Sequence, residues 1–128
     1  MKQDLRKLSL EQMKDWLKKK GEPAFRAKQI MEWIWQKSVT DIQVMSNLSK
    51  TLRETLSNEF EINPVTVYKS QYSDDGTIKS GFRLFDRHLV EGVLIPTETR
   101  MTACISSQVG CSLTCKFCAT GYMKRERN

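Results

Sequence analysis

Over the first half of the chain, apolar positions recur three and four residues apart. Leu10, Met13, Trp16 and Leu17 share one helical face, and Ser9 followed by Gln12 is a capping-box pattern at its start. Lys18, Lys19 and Lys20 fill the last turn, where positive charge suits the helix dipole, and Gly21 stops it. A second helix is expected to open at Pro23, whose missing N–H costs nothing there. Ala27, Ile30, Met31 and Ile34 form its face, with Trp33 and Trp35 flanking. A third piece begins near Thr40. A fourth runs from about Ser49, with Leu48, Leu52 and Leu56 spaced by four, then Phe60, and Asn63-Pro64 ends it. These stripes predict a small helical domain over residues 1–62, packed on its Leu, Met and Trp side chains.

The period then changes from helical to alternating. Residues 65–72 are β-branched and aromatic, and Asp74-Asp75-Gly76-Thr77 is a turn. Ile78, Ser80, Phe82 and Leu84 alternate with Lys79, Gly81, Arg83 and Phe85, and Asp86-Arg87-His88 makes a second turn. Leu89, Glu91, Val93 and Ile95 then alternate with Val90, Gly92 and Leu94, up to Pro96. The pattern predicts an antiparallel meander of three strands over residues 63–96. A link at 97–100 leads to another short strand, 101–106, and a cysteine-bearing loop. The fold class is therefore α+β. A lone strand at 101–106 would have unpaired edges, so residues 97–128 are expected to be poorly ordered or paired with another chain. His88, the only histidine, belongs on the surface of a turn.

Composition narrows the function classes. The 128 residues are 39% hydrophobic and 28% charged, which suits a folded domain rather than a disordered tail. No run of about 18 apolar residues is present to cross a membrane. The first residues lack the apolar core of a signal peptide, so a cytoplasmic location is expected. The net charge of +6 favours a polyanion such as RNA. Lys18, Lys19, Lys20, Arg26, Lys28, Lys37, Lys50 and Arg53 are available for phosphates, or simply for a solvated helix surface.

Four cysteines in a cytosolic chain point to metal or redox chemistry before disulfides. Cys111, Cys115 and Cys118 stand at C-x3-C-x2-C spacing. Thiolates are the soft ligands of iron–sulfur clusters, and these spacings let one loop aim three sulfurs at one point. Three ligands for a 4Fe–4S cluster leave one iron open for a small molecule. Phe117, between two of them, would shield the cluster. A zinc site would want a fourth ligand, and Cys104 lies seven residues upstream at an unusual zinc spacing. Cys104 by itself reads as a small buried apolar residue in a strand. Glu91 shares a strand face with Leu89, Val93 and Ile95; it is either a carboxylate held on an apolar face, suited to proton transfer, or an edge residue reaching solvent.

The spacing is that of the radical S-adenosyl-L-methionine (SAM) enzymes. The run Thr102-Ala103-Cys104-Ile105-Ser106-Ser107-Gln108-Val109-Gly110-Cys111, with Lys116-Phe117-Cys118-Ala119-Thr120-Gly121 after it, resembles the dual-specificity RNA (adenine-C2) methyltransferases of the RlmN type. The resemblance extends to Val90-Glu91-Gly92-Val93-Leu94-Ile95-Pro96 and to Phe25-Arg26-Ala27-Lys28-Gln29-Ile30. It implies that residues 1–62 form an RNA-binding accessory domain related to helix-hairpin-helix modules, although no Gly-rich hairpin of that kind is present. It implies that residues 97–128 open a partial β/α barrel, truncated after its first strand and cluster loop. Cys111, Cys115 and Cys118 would bind the 4Fe–4S cluster that holds and cleaves SAM with an electron from an external donor. Glu91 would accept the C2 proton. Cys104 would release the product through a transient disulfide with a methyl-carrying cysteine that this chain does not contain. The substrates implied are 23S ribosomal RNA and a subset of transfer RNAs, and the 128 residues alone are expected to be inactive. A related C8 adenine methyltransferase and a small basic RNA-binding module with a structural zinc are the other readings.

Overall fold

A computed structural model describes residues 2–128 and divides into two compact units, Met1–Asn63 and Pro64–Asn128. The first is built on burial. Strand β1 (Gln3–Asp4) leads through a short 3-10 turn to helix α1 (Leu10–Lys19), followed by α2 (Arg26–Trp35), a 3-10 turn at Ile42–Val44, α3 (Lys50–Glu59) and strand β2 (Phe60–Glu61). The capping box forms as expected: the Ser9 hydroxyl accepts the Gln12 N–H at 3.2 Å, and the Gln12 side chain accepts the Ser9 N–H at 2.8 Å. At the other end the Glu22 N–H donates to the Leu17 carbonyl and the Gly21 N–H to that of Lys18, a Schellman closure with Gly21 at φ +75°. Ser49 caps α3 through the Leu52 N–H.

The buried stripes meet in one core. Met13 and Leu17 of α1, Ala27, Ile30 and Ile34 of α2, and Leu52 and Leu56 of α3 pack with Leu5, Ile42, Met45, Leu48, Phe60 and Ile62. Trp16 lies edge-on to Phe60 at 5.3 Å and donates its indole N–H to Glu59, and Trp33 donates to Asn47. Trp35, by contrast, is exposed.

Two details depart from the helical reading of residues 1–62. Pro23 does not open α2; its carbonyl accepts the Arg26 N–H, so a tight turn precedes the helix, which starts three residues later. The two ends of the unit are also strands, not helix: β1 pairs in parallel with β2, Gln3 opposite Phe60 and Asp4 opposite Glu61. Arg6 reinforces this closure. It binds Asp4 at 2.9 Å and donates to the Asn63 carbonyl.

The second unit is an antiparallel sheet of four strands in sequence order, β3 (Thr66–Tyr72), β4 (Ile78–Arg83), β5 (Leu89–Pro96) and β6 (Met101–Ile105). The strand expected to stand alone at 101–106 is hydrogen-bonded to β5, with Val93 opposite Cys104. The link at 97–100 is short enough to act as a hairpin turn, closed by the Thr97 N–H on the Arg100 carbonyl at 2.8 Å. Segments 63–96 and 97–128 therefore share one sheet.

The first two hairpins use one turn design. The Ser73 N–H donates to Thr77 and the Gly76 N–H to Ser73; the Leu84 N–H donates to His88 and the Arg87 N–H to Leu84. Asp75 and Asp86 each accept the N–H two residues on. The position that takes Gly76 at φ +82° in one takes Arg87 at φ +69° in the other, where a Cβ is strained. This turn ends β4 at Arg83, so Leu84 and Phe85 lie outside the strand. No helix among the described residues is long and apolar enough to cross a membrane.

Candidate functional site

The cysteine loop follows β6 directly. The tail is drawn back along it: Val109 exchanges backbone hydrogen bonds with residues 126 and 127, and the Cys111 N–H donates to the Met123 carbonyl. Arg127 fastens that tail to the 84–88 turn through Asp86 at 2.7 Å. Burial alone would raise the Asp86 carboxyl, but hydrogen bonds from Arg127 and His88 and the Arg127 charge hold it below its ordinary value. Gly110 sits at φ +72° with the tail so close that a Cβ would overlap the Lys124 carbonyl. Gly121 is similarly pressed on the loop: a Cβ there would lie 2.6 Å from the Cys115 carbonyl oxygen.

Within the loop, the Cys118 N–H donates to Cys115 and the Leu113 N–H points at the Cys111 sulfur at 3.4 Å. The Gly121 and Thr120 backbone N–H groups pull the Cys118 thiol below its ordinary value, which favours the thiolate a metal needs. The donor set, three thiols within eight residues, fits a soft metal cluster in its chemistry. The sulfurs themselves are not gathered: among the described residues no three His, Cys, Asp or Glu side chains stand close enough to hold a metal ion. Cys111 is tied to the tail at Met123 while Cys115 and Cys118 share a turn. Phe117 is 93% exposed and covers nothing.

Glu91 and Cys104 are brought together on one sheet face. Cys104 is opposite Val93, two residues along β5 from Glu91, so the two side chains project from the same side. The Ser106 hydroxyl donates to the Glu91 carbonyl at 2.7 Å and holds the end of β6 in register. Cys104 is exposed rather than buried. Of the two readings of Glu91, the residue reaching solvent is the one the structure has. Its side chain is 62% exposed, with the Lys79 ammonium at 3.3 Å across the strands. Sequence reasoning missed this partner: Glu91 is opposite Gly81 and Lys79 is opposite Val93, so the pair is diagonal across the strands and depends on their register.

Residues 3–62 match the family described as "Ribosomal RNA large subunit methyltransferase N-terminal domain". Over 127 residues, 99% of its length, the chain is 61% identical to the probable dual-specificity RNA methyltransferase RlmN of Cytophaga hutchinsonii. Residues 3–62 belong to that family, and the whole chain is similar to the N-terminal part of RlmN proteins. The corresponding protein of Flavobacterium johnsoniae is 50% identical over 99% of this chain, and that of Bacillus thuringiensis 48% over 92%. The chain spans about a third of the length of these relatives (35%, 36% and 33%) and matches only their N-terminal part. A solved radical SAM methyltransferase from Sphaerobacter thermophilus matches 98% of the chain, which covers 37% of it, at a TM-score of 0.82 and 39% identity.

Of the basic residues expected to meet RNA, several are engaged within the first unit. Lys20 pairs with Glu59, Arg26 binds Gln29 and the Asn47 carbonyl, Lys37 lies 3.6 Å from the Trp33 ring centre, and Arg53 donates to the Gln43 carbonyl. Lys18, Lys19 and Lys28 are exposed.

Proposed function

We propose that this chain forms the N-terminal part of a cytoplasmic radical SAM enzyme that methylates C2 of adenine in 23S ribosomal RNA and in a subset of transfer RNAs through a methyl-cysteine intermediate. The observation that carries the reading is the chemistry assembled on β5 and β6 in a chain 61% identical to an RlmN relative: Glu91 and Cys104 on one sheet face, followed by the three-cysteine loop. Cys111, Cys115 and Cys118 would hold a 4Fe–4S cluster, which when bound supplies one electron, taken from an external donor, to cleave SAM. Glu91 serves as the base that accepts the adenine C2 proton, and Lys79 orients its carboxylate. Cys104 stands exposed, as a thiol must to enter disulfide exchange with a methyl-carrying cysteine contributed from outside this chain. The helical unit, with Lys18, Lys19 and Lys28 exposed, contacts RNA phosphates.

The test is a chimera in which these residues replace the matching segment of the Cytophaga hutchinsonii relative. After anaerobic reconstitution with iron and sulfide, it is expected to yield 2-methyladenosine in a ribosomal RNA fragment, read by nucleoside mass spectrometry. Glu91→Gln is expected to lower the rate by roughly 10²–10⁴-fold, the usual range for a lost general base. Cys104→Ala is expected to stall turnover with protein bound to RNA. Methylation at C8, or full activity in Glu91→Gln, would overturn the reading.

A further inference from the structure

The face of the sheet that carries Glu91 and its partner Lys79 also carries Lys69, Arg83 and Tyr68, which the proposed chemistry leaves unused. The register places them in rows. Lys69 is opposite Gly81, which is opposite Glu91; Lys79, one row to one side, is opposite Val93, across which Cys104 lies on the same face; Arg83 lies one row to the other side, opposite Leu89. The β3 register breaks between Val67 and Lys69, and this bulge turns Tyr68 onto the same face. The Arg83 guanidinium lies 4.4 Å from the Tyr68 ring centre, and Tyr68 remains 55% exposed.

Gly81 opens a hollow between these groups. A Cβ there would have one near neighbour, the Lys69 carbonyl at an ordinary 3.8 Å, so neither crowding nor backbone shape calls for glycine. A glycine inside a strand costs stability unless something approaches its backbone closely. Gly81 lines an open depression of about 240 Å³ together with Tyr68, Lys69, Gln71, Lys79 and Glu91. Lys69 and Lys79 line it with one carboxylate, Glu91, and Arg83 stacks on Tyr68 at its edge, an excess of positive charge that complements a phosphodiester chain.

We propose that this depression is a nucleotide subsite for the RNA strand beside the target adenine: an unpaired base stacks on the Tyr68–Arg83 pair over Gly81, and Lys69 and Lys79 take its phosphates. This deepens the methyltransferase reading and rests on it for the identity of the neighbouring base. Stacking on an aromatic ring tolerates any base, so the subsite grips a loop or a splayed strand and does not read a duplex.

The test uses the full 128-residue chain and a labelled RNA hairpin with an unpaired adenine-containing loop, followed by fluorescence anisotropy across a salt series. Gly81→Val fills the hollow with a good strand former, so it is expected to keep or raise thermal stability while weakening binding about ten-fold. Tyr68→Ala is expected to weaken binding by about the same factor with the salt slope unchanged, and Tyr68→Phe to retain it. Lys69→Ala is expected to lower the slope of log affinity against log salt by about one. A fully paired duplex of the same sequence is expected to bind more weakly. Absence of binding by the wild-type chain, or Gly81→Val binding like wild type, overturns the proposal. So does a loss confined to variants of Lys18, Lys19 and Lys28. A chimera that makes 2-methyladenosine while Gly81→Val binds normally sinks this inference alone. A chimera that does not methylate, with binding that still depends on Gly81 and Tyr68, sinks the methylation reading alone.

Discussion

The two units reach order by different means. In the helical unit, thirteen apolar residues, from Leu5 to Ile62, form one buried cluster. In the sheet unit Val109 is the buried large apolar residue, while Val67, Tyr72, Leu89, Ile105 and Phe117 are exposed. The first is held by removal of apolar surface from water, worth about 1.5–3 kcal/mol for each large side chain. The second is held by backbone ladders, three tight turns and the Arg127–Asp86 tie. Burial stabilises the helical unit; hydrogen-bonding geometry shapes the sheet, whose open faces leave its polar side chains free for chemistry.

Four substitutions sharpen or break that contrast. The largest expected effect is in the helical core. Leu56→Ala, at a fully buried position, is expected to cost about 2–5 kcal/mol in urea unfolding, whereas Ile105→Ala, 80% exposed, is expected to stay within about 0.5 kcal/mol. Equal losses at the two sites would mean that the sheet is as dependent on burial as the helices.

Next comes the closure at Asp4. Burial alone would raise this carboxyl, but hydrogen bonds from the Arg6 side chain and backbone, and the Arg6 charge, hold it below its ordinary 3.8. Because the folded value is the lower one, the contribution is present above the unfolded value and is lost as pH falls through the folded value. Asp4→Asn is expected to cost about 1.5–3 kcal/mol near neutral pH and to flatten the acid side of the stability profile. An unchanged acid limb in this variant would remove Asp4 from the account. The smallest effect is in the sheet: Arg87→Gly should relieve the positive φ and stabilise by about 0.5–1 kcal/mol in thermal melts. A loss of stability there would mean that the Arg87 side chain contributes more than its backbone costs.

Much of this was legible along the chain. The caps at Ser9 and Ser49, the core positions from Met13 to Leu56, and both hairpin turns follow from local rules, because each depends on residues fewer than five apart. The three-cysteine spacing and its flanks were as plain, and they carried the family. The partners of those residues were not. Pairing of β1 with β2 joins residues 57 apart, and no local pattern announces a two-residue parallel strand. The strand pattern left Glu91 open between an apolar face and solvent, because its neighbours Leu89 and Val93 are apolar; whether that face is covered depends on what packs on it, and here Lys79 and solvent meet it. The loop spacing suggested convergent sulfurs, but the tail's hold on Cys111 is a contact between residues twelve apart.

By itself, then, the sequence determined the kind of each element, the residues that form the helical core and the chemistry available in the cysteine loop, since periodicity, caps and thiol spacing act at short range. Only the tertiary structure decided that β6 joins the meander as a fourth strand. It alone set Glu91 and Cys104 on one face, and placed Gly81 in an open depression between cations. Those outcomes depend on cross-strand register, in which a shift of one residue would send every side chain to the opposite face.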